Sequence, residues 1–182
     1  VYEDLGLTVE VGGSYYAAGL IEMLAGDPAA AERELSRGYA LLEGVGETAY
    51  RSTLSAELAH ALYAQGRYSE AEKWSEVSER EASRDDVASQ VVWRTARAKV
   101  LAERGQFDAA ERLGREALAL TAESDFLDMR GDALLDLGTV LRAAGRSKEA
   151  ADAAEQALQL YERKGNVVSA AKARAFAAEV VG

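Results

Sequence analysis

One pattern constrains this chain more than any other, and it returns at a near-constant interval. A small residue, six others, a glycine, four further residues and an alanine recur in that order. The pattern reads Ala59-x6-Gly66-Arg67-Tyr68-x2-Ala71, then Ala98-x6-Gly105-Gln106-Phe107-x2-Ala110, then Gly138-x6-Gly145-Arg146-Ser147-x2-Ala150. An earlier copy is Gly19-x6-Gly26-Asp27-Pro28-x2-Ala31. Gly26, Gly66, Gly105 and Gly145 thus mark a period of about 40 residues, and a fixed period of that size marks a solenoid. In a solenoid each unit buries its apolar face only against its neighbours.

The units are helical. Ala and Leu dominate an apolar fraction of 48%, proline occurs once, at Pro28, and long β-branched runs are absent, so a sheet is not expected. The formal net charge is −10 with Lys and Arg interleaved among the acids. That balance lacks the basic face a nucleic-acid binder needs and suits solubility or a basic partner. Cysteine is absent, which excludes disulfides and thiolate metal sites and fits a reducing cytoplasm. No apolar run approaches the ~18 residues of a membrane span, and no signal peptide is visible.

Taken in order, 1–6 match Leu160–Gly165, which closes a helix, so Val1–Leu5 reads as a last helical turn stopped by Gly6. On that reading the chain is cut from a longer protein. Hairpin one, 9–46, has helices near Val9–Ala25 and Pro28–Glu43. Asp27-Pro28 is its internal start signal, Gly12 and Gly13 weaken its first helix, and Gly46 stops its second. Hairpin two, 48–85, has helices near Thr48–Gln65 and Tyr68–Ser83, with capping-box spacing at Ser69-x-x-Glu72 and turn or cap residues at Asp85 and Asp86. Hairpin three, 87–124, has helices near Val87–Arg104 and Phe107–Glu123, with a cap expected from Asp108-x-x-Glu111 and Ser124-Asp125 in the next link. Hairpin four, 126–165, has helices near Phe126–Ala144 and Ser147–Lys164, closed by Gly165. A ninth helix follows at 167–181. The short links suit antiparallel neighbours within one continuous domain.

The small columns have a steric meaning. Gly19, Ala59, Ala98 and Gly138 precede each hinge at one fixed offset, and Ala31, Ala71, Ala110 and Ala150 follow it at another. Both columns fall where the two helices of a hairpin cross. Around that crossing the sequence offers Leu20, Leu62, Leu101 and Leu141 on first helices and Leu41, Leu120 and Leu160 on second helices.

Small-x6-Gly-x-aromatic-x2-Ala resembles the tetratricopeptide repeat (TPR), best in hairpins two and three, where Tyr68 and Phe107 fill the aromatic place. Pro28 and Ser147 depart from the pattern, and the period exceeds that usual for this repeat, roughly 34 residues. HEAT-like repeats share the longer period without requiring this hinge. The resemblance implies an all-α, TPR-like α-α superhelix of four hairpins and a terminal helix. The stretches 6–19, 61–72 and 161–166 are similar to the C-terminal repeat region of actinobacterial proteins combining an adenylate/guanylate cyclase domain, an AAA-type ATPase core and TPRs. Similar arrays end LuxR/MalT-type regulators. That likeness implies a regulatory part of a bacterial signalling protein.

Chemistry-bearing constellations are scarce. His60 is the single histidine, Gly12-Gly13 lacks the Lys-Ser/Thr of a phosphate loop, and carboxylates mostly sit at helical spacing to Lys or Arg, as in Glu72–Glu76–Arg80 and Glu111–Arg115. No catalytic residue, cofactor or metal site is expected. By resemblance to TPR arrays, the first helices line a groove. The positions assigned to it are Tyr16, Leu20 and Met23; Thr53, Ala56, Glu57, His60 and Tyr63; Thr95, Lys99 and Glu103; and Asp132, Leu135, Asp136, Thr139 and Arg142. Thr53, Ala56 and His60 break the Lys/Asn clamp of chaperone-binding TPR domains. Trp93 is expected between hairpins and Trp74 between repeats. The expected partner is a protein, a peptide or another domain of the parent chain, with no direct nucleic-acid or membrane contact. A small-molecule sensor contacting Tyr16, His60 and Tyr63 is the alternative. Phe176, Val180 and Val181 suggest homodimerisation through the terminal helix.

Overall fold

The computed structural model describes residues 2–122 and 125–181, and these hold nine α-helices and no strand. They are α1 (Tyr2–Ala25), α2 (Pro28–Gly44), α3 (Ala49–Ala64), α4 (Tyr68–Glu81), α5 (Val87–Glu103), α6 (Phe107–Leu120), α7 (Leu127–Ala143), α8 (Ser147–Lys164) and α9 (Val167–Val181). Within the described residues α1 packs on α2, α2 on α3 and α3 on α4, while α6 packs on α7, α7 on α8 and α8 on α9. Val1, Glu123, Ser124 and Gly182 lie outside the described residues. The helices fall into two compact units, Val1–Ala96 and Arg97–Gly182.

The glycine rhythm is a turn rhythm. Gly66 adopts φ +73°, and the Arg67 N–H reaches back to the Leu62 carbonyl at 3.0 Å. This is a Schellman closure, which needs a left-handed residue after the helix end, where a Cβ would be strained. The same bond recurs at Gly26, Gly46, Gly105, Gly145 and Gly165, all at positive φ. The hinges and the links at Gly46 and Gly165 therefore share one device. The links before α5 and α7 are exceptions, carrying Asp85-Asp86 and Asp125 where a glycine would fall. There Asp86 Oδ1 accepts from the Ser89 N–H at 3.2 Å and caps α5.

Three local expectations need correction. α1 runs through Gly6 without a stop. At Gly165 the chain continues into Asn166, whose Oδ1 caps α9 through the Ser169 N–H at 3.0 Å; Leu7 carries no oxygen to start a new helix after Gly6. Ser69 and Asp108 are not caps, because the glycine closure makes Arg67 and Gln106 the N-cap residues, and neither makes a side-chain capping bond. Ser69 and Asp108 fall inside the first turn. Asp27 does cap α2, accepting from Ala30 N at 2.8 Å.

In the first unit, Ala31, Leu35 and Leu42 of α2 close on Leu54, Leu58 and Ala61 of α3, with Val9, Tyr16 and Met23 of α1 packed against them. Trp74 joins from α4 and meets Tyr39 of α2 edge-on at 4.9 Å, bridging successive repeats as expected. Arg51 and Glu81 form a two-bond ion pair beside Tyr39, at 2.7 and 3.0 Å. In the second unit, Leu134, Ala157, Tyr161, Ala170 and Ala173 make one cluster, and Leu137, Leu141 and Ala150 make another. Phe176 and Val180 pack against the latter. Two of the residues that suggested a dimer thus serve the chain's own core, and the Val181 side chain lies outside the described residues.

The small columns are buried throughout, at both places in all four hairpins. The large second-helix column sits one residue later than the sequence suggests. Leu42, Thr121 and Tyr161 are fully buried, whereas Leu41 and Leu160 are half-buried and Leu120 is exposed. One residue turns a helix face by about 100°, which separates core from rim.

Candidate functional site

The two units present their first-helix faces separately. In the first, α1, α3 and the beginning of α5 supply the candidates. Tyr16 and Met23 lie against the core, and Leu20 is half-buried. Ala56 is fully buried and cannot touch a partner. Thr53 Oγ1 shares a hydrogen bond with Ser89 Oγ at 2.8 Å, and Ser89 in turn meets Ser52 Oγ at 2.9 Å. His60 Nε2 lies 3.1 Å from both the Val92 carbonyl and Thr95 Oγ1, tying α3 to α5. Thr95 is buried and donates to the Val92 carbonyl. Tyr63 leans on Tyr68, centroid to centroid 5.4 Å. Glu57 is half-buried. The polar residues of this face chiefly stitch helices together.

The second unit's face is built differently. Lys99, only 9% exposed, meets Asp136 at 2.6 Å. One turn earlier on α7, Asp132 accepts a 2.6 Å hydrogen bond from the hydroxyl of Tyr161, which is fully buried. Desolvation by the surrounding protein, with the Asp136 and Asp128 carboxylates nearby, pushes Asp132 up to about 6 against the Tyr161 hydrogen bond. Asp132 as a residue is exposed. Burial, then the Asp132 charge, raises Tyr161 far above the usual phenol range, so it stays a donor. Leu135 is half-buried against the core, and Thr139 Oγ1 bonds back to the Leu135 carbonyl at 3.1 Å. Arg142 is exposed, lies 4.7 Å over the Phe176 ring and pairs with Glu179 at 3.2 Å. Glu103 is exposed at the end of α5.

The sequence reading missed Tyr161, which anchors Asp132, and Phe176 with Glu179, which hold Arg142. Tyr161 had a legible signal: it stands as far before Gly165 as Leu62 does before Gly66. Among the described residues no group of three His, Cys, Asp or Glu side chains could hold a metal, and no helix is long and apolar enough to cross a membrane. A shallow concavity on α6, about 520 Å³, is lined by Asp108, Glu111, Arg112, Arg115 and Glu116 with Ala119. It belongs to a second helix and carries a solvated ionic surface. Trp93 is buried beneath the Arg94 guanidinium, 4.2 Å from its ring.

Comparison with known proteins gives the fold a name. The chain superposes on crystal structures of nearly identical TPR-like repeats from Podosopora anserina, from a protein assigned as a kinesin light chain. A glutamine-to-methionine variant of those repeats gives a TM-score of 0.56 and a second form 0.53, each at 18% identity over 92% of this chain and 93% of that one. It also superposes on BtubC (BKLC) from P. vanneervenii, with a TM-score of 0.56 and 13% identity over 98% of this chain and 90% of that one. No curated protein sequence matches. Residues 56–78 and 90–163 match models of the tetratricopeptide repeat, so this chain carries tetratricopeptide repeats within an all-helical, TPR-like fold.

Proposed function

We propose that the chain is a non-catalytic interaction module whose first helices hold a protein or peptide segment rich in Lys or Arg. The observation that carries this reading is Asp132. One carboxylate oxygen is fixed by a buried hydroxyl while the residue is exposed. Holding a charge in place before the partner arrives lowers the entropy cost of binding. The chain's net charge of −10 favours a cationic partner, although Asp136, one helical turn away, is already paired with Lys99. The partner on this reading is another protein or a neighbouring domain of a bacterial signalling protein, whose activity the module regulates.

The small-molecule alternative rests on Tyr16, His60 and Tyr63. Each of these already contacts core, helix or ring within its own unit, and that weighs against an open ligand cavity between them.

Fluorescence polarisation with pooled Lys/Arg-containing peptides tests the proposal. Asp132→Asn keeps an acceptor for Tyr161 and removes the charge, so it should weaken binding about tenfold, as loss of one charge-assisted contact does. Equal binding by wild type and variant would remove this face from consideration. A small ligand that raises Tm while no peptide binds would favour the sensor reading.

A further inference from the structure

Arg142 stands at the other end of the α7 face from Asp132, and its guanidinium is held differently from the chain's other paired arginines. It lies 4.7 Å over the Phe176 ring. That ring is itself wedged in place: it packs on Leu137, Leu141 and Ala150, and a Cβ added at Gly138 would come within 3.2 Å of it. Contact with a ring face restrains a guanidinium and leaves its fork of N–H donors for a carboxylate. Arg51, Arg67 and Arg146 each commit two N–H groups to one carboxylate, at 2.5–3.0 Å. Arg142 meets Glu179 through one nitrogen, Nη1, at 3.2 Å, and its side chain is 39% exposed with Phe176 already packed against it.

Asp132 and Arg142 lie ten residues apart on one helix, about 15 Å along its axis. Each is restrained by an aromatic side chain, Tyr161 at Asp132 and Phe176 at Arg142. Between them Asp136 is already answered by Lys99. Beyond Asp132, Asp128 accepts from the Asn166 side-chain amide at 3.0 Å, a neutral partner that leaves its charge in place. The face is therefore a dipole, negative toward the start of α7 and positive in its last turn, and not a uniformly acidic strip.

We infer that Arg142 receives a carboxylate of the bound segment, which displaces Glu179, so that the segment lies along α7 with its Lys or Arg at Asp132 and its Asp or Glu at Arg142. This rests on the reading of Asp132 as a cation site and adds a second charge of opposite sign to the partner. An axial distance of about 15 Å corresponds to about four to five residues of extended chain, which sets the separation of the two charges. Glu179 holds the place of the partner's acid while the face is empty, and a carboxylate that can take both edges of the guanidinium replaces its one-nitrogen contact.

¹⁵N–¹H NMR titration with peptide pools in which Lys and Glu stand that far apart, in both orders, against matched pools with Gln for Glu, tests it. Wild type should bind the Lys/Glu pools about fivefold more tightly, as for an exposed ion pair of good geometry. The sign is diagnostic, because the chain's net charge of −10 by itself favours the Lys/Gln pools. Glu179→Gln should strengthen binding of the Lys/Glu pools about two- to threefold and leave the Lys/Gln pools unchanged. Arg142→Gln should erase the preference between pools. Glu149→Gln, which removes the same charge from α8, should change neither, and circular dichroism confirms that these exposed-site variants fold. Equal binding of both pools by wild type, with Asp132→Asn still weakening both, overturns the inference and leaves the cation reading standing. Binding of neither pool overturns both. Strengthening by Glu149→Gln equal to that by Glu179→Gln reduces the effect to net charge and overturns the inference as well.

Discussion

Gly131 offers a sharp test of how α7 and α8 meet, because the expected sign of its effect reverses with a neighbour. A Cβ added at Gly131 would lie 2.6 Å from Tyr161 Cε1, 2.7 Å from Cζ and 3.1 Å from the hydroxyl oxygen. Carbon atoms prefer about 3.5–4.0 Å, so the ring must retreat by roughly 1 Å. It has little freedom to do so, being fully buried, packed among Leu134, Ala157, Ala170 and Ala173, and tied to Asp132. Overpacking of this kind costs ~1–3 kcal/mol, and disturbing the hydrogen bond costs ~0.5–1.5 kcal/mol more. Against this, Ala in place of Gly favours a helix interior by ~1 kcal/mol. Gly131→Ala should therefore destabilise the protein by about 0.5–3.5 kcal/mol, the difference of those terms. In a Tyr161→Leu background the ring is gone and the same substitution should stabilise by up to ~1 kcal/mol. Urea unfolding of the four proteins, with m-values compared, measures the cycle. A stabilising Gly131→Ala in wild type, or one effect in both backgrounds, would refute the packing described for this crossing.

Other consequences follow from the same geometry. Leu42→Ala should lower stability by ~2–5 kcal/mol, while Leu41→Ala should cost under about 1 kcal/mol, a contrast that urea midpoints resolve. Arg146→Ala removes the guanidinium that pairs with Glu111 on α6 and with Glu149 in the first turn of α8. The loss should be small at low salt and largely vanish at high salt, since the cluster is partly exposed. The Asp132 pKa is raised in the folded state, so the stability this group contributes is fully present below the ordinary carboxylate range and is lost as pH rises through about 6. Asp132→Asn should accordingly melt slightly above wild type at pH 7 and match it near pH 4; a ¹³C titration of the carboxyl placing its pKa below the normal value would reverse that expectation.

Features set by the turn itself are legible in the sequence. A left-handed turn demands glycine and a close helix crossing demands a small side chain, so Gly66 and Ala71 announce their roles from spacing alone. The same spacing carries further: at one fixed offset before four of the six turn glycines stands a large buried side chain, at Leu42, Leu62, Leu141 and Tyr161, while Glu22 and Leu101 at the same offset are half-buried. Counting back from Gly46 and Gly165, rather than following the leucines, selects Leu42 over Leu41 and Tyr161 over Leu160. Capping is misleading at Ser69 and Asp108 because the closing motif of one helix also sets the first residue of the next. The face residues are harder. His60 and Thr53 look available in sequence, but their bonds run to Val92, Thr95 and Ser89, on the first helix of the following hairpin. Phe176 looks uncovered only because its neighbours Leu137, Leu141 and Ala150 belong to other helices.

The central claim is that first helices, and not second helices, carry the binding surface. ¹⁵N–¹H NMR titration with a cationic peptide selected from a displayed random library measures this directly. The account predicts shift changes concentrated on α1, α3, α5 and α7, strongest around Asp132, Asp136 and Arg142. Changes confined to α2, α4, α6 and α8, such as the ionic surface around Glu111 and Arg115, would contradict it.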